Sequence, residues 1–471
     1  MFATASLLCH RLSMVTLCHT IQYSMATDNN LMAPPFWLAI PFMALLLMIA
    51  TGPLFFANFW HKHYPKIAIL LATFVIGYYF IVLENKVKPL EAAAEYIQFI
   101  ALITALYITT GAISIKVNKR ATPLANITLL CIGALMANLI GTTGASMLFI
   151  RPYLDLNKGR IKVYHIVFFI FIVSNIGGAL TPIGDPPLFL GFLKGVPFAW
   201  TLIHNSQPWL MALVILLSIF YCFDKRHKVI KVIVEDRPYQ GTISISGGKN
   251  VIWLVMVIGS VFLDPTIFSW LPTIDYHGHP ISFVRELIML TVATLAYYTA
   301  NKKVLLSNRF SFEPLNEVCL IFIGIFGTMI PALELIGEFA ASQEGKQLIT
   351  PTTLYWGTGV FSSILDNAPT YLNFVAASMA AQGANIQLVA DMQAYAAGGV
   401  YPGSVTGLNA ISVASVFFGA MTYIGNGPNF MVKSIAEQAG ITMPSFGHYI
   451  FRFSMPILLP VLFMIWVFFF L

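Results

Sequence analysis

The sequence predicts an all-α integral membrane protein of about ten transmembrane helices in an inverted 5+5 repeat, each half with one re-entrant hairpin and one broken helix. Three observations predict this. The 471 residues are 58% hydrophobic and only 10% charged, against about 25% charged in a soluble domain. Apolar stretches of roughly the 20 residues that cross a bilayer as a helix recur along the chain. One motif is written twice: residues 174–187 read SNIGGALTPIGDPP and residues 415–428 read SVFFGAMTYIGNGP, with seven of fourteen positions identical.

Residues 1–35 are mildly apolar and end in TDNN and a Pro pair. They read either as a weak signal-like segment or as an extension ahead of a start at Met25. Crossings are expected near 36–58, 66–83, 97–115, 162–193 (broken), 208–223, 250–270, 284–300, 316–339, 406–437 (broken) and 447–471. Two further apolar stretches, 123–150 and 353–381, hold small polar tips at Thr142 to Ser146 and at Asp366 to Thr370. Each is expected to enter and leave by the same membrane face. The halves are then 36–223 and 250–471, joined by a cytoplasmic linker at 224–249. Five crossings per half force the second half upside down relative to the first.

Charge supports the layout. With the 59–65 turn cytoplasmic, twenty Lys and Arg fall on the cytoplasmic side and six outside, as the positive-inside rule requires. The net charge of +6 is dispersed among apolar spans, so it makes no nucleic-acid-binding face. The five cysteines are widely spaced with no CxxC and read as small buried residues rather than metal ligands or a disulfide framework.

The duplicated motif holds the candidate chemistry. A bilayer leaves no solvent for free backbone groups, so a helix broken at membrane depth must line a cavity or be buried in protein. In the first copy Gly184 permits unusual φ, and Pro186 and Pro187 lack N–H groups, so the backbone opens around Asp185. Freed carbonyls, Thr181, Ser174 and Asn175 offer neutral oxygens, and Asp185 a charge. In the second copy Asn426 stands where Asp185 does, with Thr422 and Gly425 beside it. The hairpin tips add Thr143 and Ser146 in the first half, and Asp366 and Asn367 in the second. Ionisable groups in membrane helices are costly and usually functional. The competing reading of both aspartates is structural: Asp is a good N-cap and Pro a good first helical residue. Glu334, after Pro331 in the 316–339 span, is a candidate proton relay. Asn429 reads as a helix cap, and His165, Asp264, Arg285 and Glu286 as interface residues.

These motifs resemble the ion transporter superfamily. SNIGGALTPIGD at 174–185 resembles the broken-helix motif of NhaD-type sodium/proton antiporters, and Asp366 with Asn367 resembles their acidic Asp-Asn pair. The ten-crossing, two-hairpin plan over residues 36–471 is similar to the whole superfamily, which includes citrate, dicarboxylate and arsenite permeases. The paired Ser-Asn-Thr motifs of the dicarboxylate branch are not matched: Ile176 follows Ser174 and Asn175, and the second half has Ser362 and Ser363.

The leading expectation is a secondary transporter that exchanges Na⁺ for H⁺, with Asp185 and Asp366 binding cation and proton alternately. Na⁺ is expected at Asp185, Asp366, Thr181 and Asn426, since oxygen ligands suit a hard cation. The alternative is a cation-coupled citrate or dicarboxylate symporter, whose carboxylate substrate would sit at half-helix N-termini. An intramembrane aspartyl protease is disfavoured because Pro182 stands where its GxGD signature needs Gly, and no HExxH occurs. No cofactor is expected beyond the transported ions. The expected setting is the lipid bilayer of the cell's inner (plasma) membrane, as a homodimer.

Overall fold

Long apolar runs leave the backbone no partner but itself, and helices result. The computed structural model describes residues 33–118, 121–226, 242–265, 268, 270–276 and 279–471. Each expected crossing is helical: Ile40–Phe55, Ala57–Ile81, Val87–Gly111, Phe198–Arg226, Gly248–Ser260, Val284–Thr299, Glu313–Ala341 and Phe446–Phe469, besides the two broken helices. Among the described residues nine helices are long and apolar enough to cross a membrane. Gly248–Ser260, with 13 residues, rises only about 20 Å, short of a roughly 30 Å hydrocarbon core.

The broken helices lie at the centre. The first runs Val163–Ile172, a 3₁₀ turn Ile176–Leu180, then Pro186–Leu193; the second runs Ser404–Phe417, a 3₁₀ turn Phe418–Met421, then Gly427–Gln438. The spans leading into the two breaks are each 89% buried, whereas Asn58–Ile81 is 22% buried and lies at the periphery.

Both polar-tipped stretches fold back on themselves. Pro123–Leu156 turns at Gly141, whose φ of 75° and ψ of 155° lie in a region essentially reserved for glycine. Asn126 and Asn157, near the two ends, exchange amide hydrogen bonds of 3.0 and 2.7 Å. In one straight helix residues 31 apart would be separated by roughly 46 Å. The second pair of arms, Pro351–Ile364 and Asn367–Ala381, turns at Leu365 and Asp366. The rings of Phe361 and Phe374 meet across it at 5.9 Å.

Three boundaries differ from the sequence reading. The 59–65 turn is helical, because the break comes earlier, at the single non-helical residue Phe56. Residues 224–226 of the linker continue a helix, and Thr242–Ser246 pairs antiparallel with Ser114–Asn118; residues 227–241 lie outside the described residues. The 382–405 loop contains a helix, Val389–Ala397.

Candidate functional site

Asp185 is 1% exposed and is the meeting point of the two breaks and the two tips. It precedes Pro186–Leu193 but makes no side-chain capping bond. The two prolines remove the N–H groups a cap would address first, and the carboxylate turns into the protein. There Oδ1 accepts from Thr142 Oγ1 at 2.6 Å and Asn426 Nδ2 at 3.0 Å, and Oδ2 from Asn367 Nδ2 at 2.6 Å. All three donors are neutral. They come from hairpin 1 (123–156), the second break and hairpin 2 (351–381), so residues up to 241 positions apart share one anion.

A second layer ties the halves together. Asn426 Nδ2 also lies 3.2 Å from Asn175 Oδ1 and from the Ser174 carbonyl. Asn175 donates to Asn429 Oδ1 at 2.7 Å, and Asn429 donates to the carbonyls of Gly419 and Thr422 at 2.8 and 2.9 Å. Asn429 is therefore a strut between the breaks rather than a helix cap. Its sequence signal was a buried amide in an apolar setting. Ser146 and Ser174 share a hydroxyl hydrogen bond of 2.8 Å.

Thr181 and Thr422 do not reach Asp185. Thr181 Oγ1 donates to the carbonyl of Asn138 in hairpin 1, and Thr422 Oγ1 to that of Ser363 in hairpin 2, at 2.6 Å. The acceptors Asn138 and Ser363 each lie four residues before a tip donor, Thr142 or Asn367. The threonines fasten hairpin to break, and a place for Thr181 among the Na⁺ ligands finds no support in this geometry. Gly184 also has another role. Its φ is not positive, but a Cβ there would stand 2.0 Å from the Gly178 carbonyl oxygen, so glycine is required by close approach. Gly425 lies in the same way against Gly419.

Asp366 follows the structural reading. Its carboxylate accepts from Ala368 N at 3.0 Å, capping the second arm of hairpin 2. Asn367, its neighbour, reaches Asp185. Glu334 is elsewhere: it accepts from Tyr79 at 2.8 Å and pairs with Lys88 at 2.8 Å. The pair neutralises its charge outside the Asp185 network, and nothing there supports a relay.

A cavity of about 60 Å³ adjoins Asp185, several times the roughly 10–15 Å³ one water needs on this measure. Thr142, Thr143, Gly184 and Asp185 line its polar side, and Phe99, Leu106 and other apolar residues the remainder; its wall holds no Lys or Arg. Four helix N-termini converge on the centre, at Thr142, Pro186, Asn367 and Gly427. At roughly +0.5 elementary charge each, they offset the nearby carboxylates.

A family model described as "Putative citrate transport" matches residues 31–470. The chain belongs to that family. Two uncharacterized transporters, from Mycobacterium bovis and Mycobacterium tuberculosis, are each 25% identical to it over 337 residues, covering 68% of this chain and 71% of theirs. As a member of the citrate transport family, the protein is a multi-pass membrane transporter, and its two breaks and two tips meet at one buried carboxylate.

Of the residues expected at the site, Asp185, Asn175, Ser174, Ser146, Asn367 and Asn426 are drawn together by the fold. Sequence reasoning missed the direct donation by Thr142, although this residue stands in the predicted tip. A buried ionic cluster around Asp224, in the segment expected to be a cytoplasmic linker, carries no signal in the sequence reading.

Proposed function

We propose that the protein is a secondary active transporter of the inner membrane that exchanges Na⁺ for H⁺ at Asp185. The observation that carries this reading is a fully buried carboxylate held by neutral donors, beside a cavity without cationic side chains. Such a carboxylate takes up either a proton or a cation. Binding Na⁺ withdraws the oxygens from Thr142, Asn367 and Asn426, and the amide oxygens of Asn367 and Asn426 can turn to join the ion. Because these donors belong to different elements, exchanging ligand alters the contact between breaks and tips. That is the coupling an alternating-access cycle needs. Asp366, beside Asn367, adds negative charge that raises cation affinity.

A second reading has a specific basis. The family description names citrate, and converging helix N-termini favour carboxylate ligands. With no Lys or Arg in the cavity wall, a tricarboxylate would enter accompanied by cations. Purified protein in proteoliposomes containing a pH dye separates the two. Na⁺ or Li⁺ added outside should drive proton movement without citrate under the first reading. Citrate uptake that needs a cation, with no Na⁺-driven proton movement in its absence, would replace it with the second.

A further inference from the structure

At the end of the molecule that the charge distribution assigns to the cytoplasm, a buried ionic cluster joins hairpin 1 to two helices. Asp224, 1% exposed, closes the Phe198–Arg226 helix. Its Oδ1 takes Arg160 Nη2 and, at 2.9 Å, the Tyr164 hydroxyl; its Oδ2 takes Asn126 Nδ2 at 2.9 Å. Asn126 is half of the amide pair that closes hairpin 1. His165, 0% exposed, puts Nε2 3.2 Å from the same Oδ1, near enough for attraction but out of line for a formed hydrogen bond.

The other imidazole nitrogen decides what this cluster can do. His165 is the third residue of the Val163–Ile172 helix, and its Nδ1 accepts the backbone N–H of Lys162, the N-cap residue, at 3.1 Å. This is the reach-back bond of a capping box, made by an imidazole instead of the usual Glu or Gln. An acceptor Nδ1 places the ring proton on Nε2, facing Asp224. A second proton can then bind only at Nδ1. Once there it turns the acceptor into a donor pointing at another donor, and the Lys162 bond is lost. The added charge also sits at the positive end of a helix, where cations are disfavoured.

We propose that His165 is a proton-binding site on this side of the protein, and that a proton on Nδ1 uncaps the helix leading into Ser174 and Asn175. The ionisable groups facing the ring are Asp224, Arg160 and the phenols of Tyr153 and Tyr164, whose rings lie 6.1 and 4.2 Å away. Lys433, on the Gly427–Gln438 helix that also packs here, is turned to Glu437 and the rings of Tyr423 and Phe430. The Tyr153 hydroxyl and Arg160 Nε are buried without a hydrogen-bond partner among the described residues. The site is separate from Asp185 and does not depend on which ion is transported.

Hydrogen exchange of the full-length protein in detergent tests this without any transport assay. Amides of residues 162–166 would be followed at about pH 8 and about pH 5.5, on either side of the imidazole range, after correction for intrinsic exchange. Protection in the native protein should fall by up to about tenfold on acidification, the limit for one imidazole of ordinary pKa taken to this pH. His165→Gln keeps the capping bond and cannot titrate, so its protection should not change with pH. Unchanged protection in the native protein, or an equal fall in His165→Gln, overturns the proposal. Should that variant not fold, histidine-¹⁵N spectra of the native protein decide. One imidazole in the Nε2–H form must gain a proton over the interval in which protection is lost, and a loss with no histidine titrating alongside would refute the assignment.

Discussion

Asp185 and Asp366 each stand immediately before a half-helix, yet their side chains act differently. Asp366 caps the amide of Ala368. Asp185 has Pro186 and Pro187 ahead of it and turns inward to three donors. Substitution should separate them. In Asp185→Asn the new NH₂ group faces a former donor and leaves a buried polar group unmatched, costing about 1–3 kcal/mol. It also removes the exchangeable charge, so Na⁺-driven proton movement in proteoliposomes should vanish. Asp366→Asn should leave thermal stability nearly unchanged, since Asn caps about as well as Asp. Losing its charge should weaken apparent Na⁺ affinity about tenfold, or roughly 1.4 kcal/mol. Normal exchange by Asp185→Asn, with the protein folded and inserted, would exclude the proposed mechanism.

At the scale of elements, each break is built where a 3₁₀ turn and the segment leading into the next half-helix cross at glycine. The Gly184–Gly178 contact leaves no room for a methyl group. Gly184→Ala should therefore displace backbone rather than a side chain, costing at least the roughly 1–3 kcal/mol of core overpacking. It should appear as loss of folded protein in size-exclusion chromatography. Gly427 opens the second half-helix with nothing within 4 Å of its would-be Cβ and no positive φ. Gly427→Ala should be neutral or slightly stabilising, by up to about 1 kcal/mol. If the two variants behaved alike in a melting experiment, close approach would not be what requires Gly184. The threonine ties make the same point about coupling: Thr181 and Thr422 bond each break to the hairpin of its own half, while the carboxylate and amide network bonds one half to the other.

Across the whole molecule, contacts join segments that the charge reading puts on one and the same side. Lys194, which the charge reading puts outside, bonds Glu95 and Gln387 and so joins the first broken helix to the Val87–Gly111 helix and the segment after hairpin 2. The Asp224 cluster and the ribbon formed by Ser114–Asn118 with Thr242–Ser246 lie where the charge reading puts the cytoplasm. Ser246 and Gln393 are both exposed. Single cysteines at these positions, in a background without the native five, should label from opposite sides with an impermeant thiol reagent in intact cells. Labelling of both from outside would refute the assigned topology. Much of this was legible in the sequence, because hydrophobic length, Gly and Pro punctuation and charge asymmetry are local properties that a bilayer converts directly into spans and breaks. The crossings and the approximate tips follow from them, as does the choice of Asp185, since a carboxylate in such a setting must be compensated. Partner choice is not local. Whether a carboxylate caps its own helix or crosses to another depends on which N–H groups its neighbours withhold and on which element packs opposite. Only the tertiary structure could therefore separate Asp185 from Asp366, turn Thr181 and Asn429 into fasteners, remove Glu334 to Lys88, and bury His165 against Asp224.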